Sequence, residues 1–115
     1  MRALLLVPLA LLFVQPAIAQ STLPDGVEPL LTCGNVYSLK SDDAKEQGDE
    51  DTATEFFYRG DALIWQARSM LEAAGYDANR VENVVMTSVL TTSFRYGAGE
   101  GEAMLADCLA AEDSP

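Results

Sequence analysis

Apolar residues recur along this chain in two rhythms. The first is a nearly unbroken run from Ala3 to Val14, placed behind the positive start Met1-Arg2 and ahead of Pro16 and Ala17-Ile18-Ala19. That order is the pattern of an export signal with an A-x-A cleavage site, so residues 1–19 are read as a cleaved signal peptide, with cleavage after Ala19. The run is about a dozen residues long, short of the roughly 20 that a spanning helix needs. Cys33 lies 14 residues beyond Ala19 and follows Thr32 rather than a small residue, which argues against a lipid anchor. The reading therefore places the protein in the periplasm or outside the cell, with residues 20–115 as a single helical domain and no membrane span after cleavage.

The second rhythm is helical. Asp25 and Glu28 stand at cap-to-N3 spacing with Pro29 in the first turn, which predicts a helix from near Gly26 whose apolar face reads Leu30, Cys33 and Tyr37, with Val36 and Ala44 alongside. Thr52-Ala53-Thr54-Glu55 has the form of a capping box and predicts a second helix running to a Gly75 stop. Asn79-Arg80-Val81-Glu82 repeats that logic for a third helix lasting to about Tyr96. Val84, Val85, Thr87, Val89, Thr91 and Thr92 are β-branched and suit a strand as well. About sixteen residues without a turn residue is long for a strand and ordinary for a helix, so length decides for the helix. Gly97-Ala98-Gly99-Glu100-Gly101 predicts a break, and a short final helix carries Met104, Leu105, Cys108 and Leu109. The expected fold is all-α, a small four-helix bundle with one disulfide joining the first and last helices.

On the second helix, Ala53, Phe56, Phe57, Gly60, Leu63, Ile64, Ala67, Met70, Leu71 and Ala74 fall within an arc of roughly 140° at helical spacing, a core stripe in which Gly60 admits a close neighbour. Tyr58, Ala62, Trp65 and Ser69 point almost the opposite way, beside Asp61, Arg68 and Glu72. Aromatic side chains with hydrogen-bonding tips on a polar face have the composition of a protein-binding hot spot. The alternative is a second core face, covered by the segment from Leu23 to Leu31 or by the last helix.

Charge and cysteine usage narrow the function classes. The chain has 7 basic and 18 acidic residues; without the signal it keeps all the acids and loses Arg2, for a side-chain charge of −12. Such a surface repels nucleic acid and anionic lipid and favours a cationic partner. Cys33 and Cys108 stand at opposite ends of the domain, unlike the adjacent pair of a redox couple, and read as a structural staple. Seven carboxylates between Asp42 and Glu55 invite a calcium site, yet aligning Gly48 with an EF-hand glycine puts Lys45 and Gln47 at ligand positions, and only a looser site at Asp49, Glu50 and Asp51 stays open. The chain has no histidine, which removes Ser-His-Asp and Cys-His nucleophiles, histidine-bound zinc or haem, and an imidazole pH switch. Glu100 and Glu102 are spaced to meet in a loop but lack a cleft, and the glycines around them lack the lysine of a phosphate cradle. No enzyme activity, cofactor or metal is expected.

The export signal, the cysteine in Leu31-Thr32-Cys33-Gly34-Asn35-Val36-Tyr37, the central amphipathic helix and the cysteine in Ala106-Asp107-Cys108-Leu109 resemble small exported two-cysteine helical proteins of unknown function from Gram-negative bacteria. The chain is also superficially similar to the HdeA-type acid-stress chaperones, which are small, periplasmic, helical and joined by one disulfide, although its cysteines lie much further apart and no functional residue carries over. Two function classes follow. One is an interaction or accessory module of an envelope assembly, with an unidentified envelope protein as partner. The other is a stress-responsive chaperone, because protonating 18 carboxylates turns −12 into about +6.

Overall fold

Helices account for nearly all of the computed structural model, which describes residues 23–113; the expected signal peptide lies outside the described residues. Helix α1 spans Val27–Glu46 and α2 spans Glu50–Ala73. The third helical run, α3, has an N-terminal limb Ala78–Arg95, a π-helical segment Tyr96–Glu100 and a C-terminal limb Gly101–Asp113. The all-helical expectation holds, as does the strand-like third segment forming a helix. The count of four does not hold, because the glycine-rich stretch bends the third helix instead of ending it. Only Gly99 leaves helical geometry there, at φ 100°, a conformation that costs glycine little.

Local chemistry sets the helix starts, and at three of them it differs from the expected caps. At α1 the cap position is Gly26 with no side-chain acceptor, so Asp25 does not form the expected box with Glu28. At α2 the cap is Asp49, whose carboxylate accepts from Thr52 N at 3.2 Å and from Thr52 Oγ1 at 2.7 Å, so the helix begins ahead of the Thr52 box. At α3 the cap is Asp77, which accepts from Arg80 N at 2.9 Å and displaces Asn79 from that role. An aspartate two or three residues upstream gains the helix further backbone hydrogen bonds while still satisfying an exposed N–H. The Gly75 stop of α2 holds, the helix ending at Ala73.

Two apolar clusters lie along the α1–α2 hairpin. In the first, Val27 and Leu31 meet Ala67, Leu71, Val81 and Val85 beneath the N-terminal limb of α3. In the second, Val36, Tyr37 and Phe56 meet Met104 and Cys108 beneath the C-terminal limb. The bend in α3 thus lets one helical run cover both clusters. Between them α1 and α2 cross at two glycines: a Cβ on Gly60 would fall 2.7 Å from the Gly34 carbonyl oxygen, so the close approach expected at Gly60 is present. Two residues of the expected α2 stripe do not belong to its buried face. Phe57 is 55% exposed and Ala74 is exposed, whereas Ala53, Phe56, Gly60, Ala67 and Leu71 are buried.

The Cys33–Cys108 disulfide is formed, with the two Cα atoms 5.5 Å apart, and it ties α1 to the C-terminal limb as expected. Polar links reinforce it. Tyr37 Oη donates to Glu112 at 2.6 Å, and Tyr96 Oη donates to Asp43 at 2.6 Å, anchoring the bend to α1. Buried Asn35 donates to Ser88 Oγ at 3.1 Å, and buried Ser41 donates to the Ala53 carbonyl at 2.6 Å. Among the described residues no helix is long and apolar enough to cross a membrane.

Candidate functional site

The outer face of α2 is where the structure leaves aromatic surface uncovered. Tyr58 is 65% exposed and Trp65 is 70% exposed, with Ala62 and Ser69 exposed between and beyond them. The reason lies in the fold. The stripe of α2 that includes Ala53, Gly60, Ala67 and Leu71 faces α1 and α3, and the third helical run is fully occupied in bridging the two clusters. Neither the segment from Leu23 nor the C-terminal limb reaches the opposite side, so the second-core-face alternative is corrected: these four residues form an outward strip.

Beside the strip lies an aromatic residue that the sequence assigned to the core. Phe57 meets Tyr58 edge to face, with ring centroids 5.3 Å apart and planes at 81°.

Electrostatics around the strip are one-sided. Asp51, Asp61 and Glu72 are exposed on the outer half of α2. Each of the two cations of the same helix is engaged by a carboxylate of another helix, and Arg59 by one of its own as well. Arg59 pairs with Glu55 at 3.0 Å and with Glu112 of the C-terminal limb, and its guanidinium lies over the rings of Tyr37 and Phe56 at 5.0 and 5.2 Å. Arg68 pairs with Glu82 of α3, whose hydrogen bond and charge hold the Glu82 carboxyl below the usual range. The face therefore combines aromatic area with net negative charge.

The other candidate residues lie elsewhere on the fold. Glu100 accepts from Arg95 Nε and Nη2 at 3.1 and 2.9 Å, while Glu102 is exposed on the following turn. Asp49 is engaged in its cap, which lowers its pKa through the Thr52 hydroxyl first and the Thr52 N–H second. Among the described residues no cluster of three or more acidic or cysteine side chains is placed to hold a metal ion. A groove of about 420 Å³ separates α1 from the N-terminal limb of α3, walled by Leu31, Thr32, Val84, Ser88, Thr92 and Arg95. Its Ser88 hydroxyl receives the Asn35 amide, a donor rather than a base, which does nothing to activate it as a nucleophile.

Comparison with known proteins adds no relative to this geometry: no protein-family model matches the chain, and neither a curated protein nor a solved structure matches it.

Proposed function

We propose that this chain is an exported interaction module that docks on a cationic, apolar-bearing surface of an envelope protein through Phe57, Tyr58, Ala62, Trp65 and Ser69. The observation that carries the reading is the 70% exposure of the single tryptophan at the centre of an acid-flanked helix face. A large rigid aromatic buries much area for little loss of side-chain freedom, which is why such residues dominate binding energy at interface centres. The surrounding carboxylates select a partner of opposite sign and speed its approach. Arg59 and Arg68, tied to Glu112 and Glu82, leave that sign undiluted.

The test compares the oxidised mature chain with Trp65→Ala and Tyr58→Ala by affinity purification from envelope extracts, alongside thermal melting. Both variants melt with the parent, because the lost side chains are exposed. An identified partner retained by the parent, lost on Trp65→Ala and weakened by salt supports the reading. A partner retained equally by all three proteins, or a Trp65→Ala chain that unfolds, overturns it.

A further inference from the structure

A second uncovered face lies on the N-terminal limb of α3, and its chemistry is the reverse of the first. Met86, Leu90 and Phe94 are 54%, 65% and 77% exposed. Their four-residue spacing sets them in one line along the helix, nearly opposite the buried Val81, Val85 and Thr92. The stretch from Asn83 to Phe94 contains no charged residue at all in a chain with a net charge of −11. By contrast α1, α2 and the C-terminal limb present exposed carboxylates such as Asp42, Asp61 and Asp107.

We propose that this face is the interface of a two-fold dimer, with a second copy of the chain as its occupant. Self-association of a strongly acidic protein is opposed by like charge wherever carboxylates meet, so it is confined to a face without them. The stripe is also self-complementary. With two copies of α3 antiparallel about Leu90, Leu90 meets Leu90 of the second copy, and Met86 meets Phe94 of the second copy, a flexible thioether against an aromatic ring. The three side chains offer roughly 400 Å² per copy. With Asn83, Thr87, Ser93 and Gly97 on the same face, the total approaches about 1,200 Å², the lower end of specific interfaces, so the dimer is weak and reversible. It leaves the α2 strip outward on both copies, and it does not depend on what that strip binds.

Sedimentation equilibrium of the oxidised mature chain tests the inference. The mass rises with concentration toward twice that of one chain. Leu90→Glu, which sets two carboxylates against each other on the two-fold axis, weakens association at least about tenfold while circular dichroism and melting stay unchanged. Leu90→Cys, with the native disulfide intact, oxidises to a covalent dimer faster than Trp65→Cys does. A parent chain that stays monomeric up to about 1 mM overturns the inference, as does association insensitive to Leu90→Glu. Monomers that bind phosphatidylcholine vesicles through Phe94 would also overturn it, by making lipid the occupant.

Discussion

Gly60→Ala tests whether the α1–α2 crossing is as close as the structure places it. The added Cβ would stand 2.7 Å from the Gly34 carbonyl oxygen, 3.2 Å from Ser38 N and 3.3 Å from Tyr37 Cβ. The first two neighbours are backbone, so relief requires the two helices to separate. Alanine is intrinsically favoured over glycine inside a helix by about 1 kcal/mol, which works against the clash. Overpacking costs typically 1–3 kcal/mol, and a clash with backbone belongs at the upper end. The net expectation is a loss of about 1–2 kcal/mol, or a fall in Tm of roughly 5–15 °C for a domain of this size. Two further variants isolate the cause. Gly97→Ala meets nothing within 4 Å and is expected to be neutral or slightly stabilising, while Gly34→Ala, whose Cβ would stand 2.6 Å from Ile64 Cγ1 and 3.1 Å from the Gly60 carbonyl oxygen, probes the same crossing from the other helix and should also destabilise. Thermal and urea unfolding with the disulfide oxidised supply the measurement. A Gly60→Ala chain as stable as the parent, with an unchanged urea slope, would refute the close crossing.

Replacing Cys33 and Cys108 by serine removes a link between residues 75 positions apart, which the chain-entropy relation values at about 4 kcal/mol. The urea midpoint should fall accordingly, and an unmoved midpoint would show that the denatured chain is already compact. Stability should also fall at both ends of the pH scale. Burial, then the Glu112 hydrogen bond, pushes the Tyr37 hydroxyl from 10.0 to about 12. A raised folded value means that this contribution is whole below about pH 10 and is lost as pH rises toward 12. Tyr37→Phe should reduce that alkaline limb in urea titrations without abolishing it, because burial and the Asp43 hydrogen bond raise the Tyr96 hydroxyl as well. Asp49 and Glu82 are shifted the other way, by Thr52 and Arg68, so their contributions are present above the ordinary carboxylate range and are lost as pH falls. Asp49→Asn, which keeps a capping oxygen without the charge, should reduce the acid limb, and an unchanged acid limb would count against the cap.

How far the sequence could be read differs from element to element. The cysteine staple, the Gly75 stop and the Gly60 approach were legible because each depends on one residue type with few alternatives. Helix starts were less so. An acid-rich chain offers several cap candidates within a turn, and Asp49 and Asp77 prevail over Thr52 and Asn79 by admitting more residues to the helix. The Gly97–Gly101 stretch looked like a terminator because glycines lower helix propensity, yet Tyr96, tied to Asp43 and packed against Gly101, holds the run together through the bend. Trp65 was harder still. Its apolar area argues for burial, and only the path of α3 shows that no element covers it. The Met86–Leu90–Phe94 stripe was visible as spacing, but its neutrality became meaningful only once the rest of the surface was known to be acidic.

The disulfide also fixes how the domain would respond to being pulled. Cys33 and Cys108 lie near the two ends of the described chain, so a force applied at those ends passes through the sulfur–sulfur bond. α2 and most of α3 lie inside the covalent loop and bear none of that load. Only the first turns of α1 and the last few residues of the C-terminal limb can pay out under tension. Pulled at the ends of the described residues, the domain would therefore stretch by a few tens of ångströms, with the aromatic strip of α2 and the neutral stripe of α3 keeping their shape. Reduction would convert the same chain into a long tether.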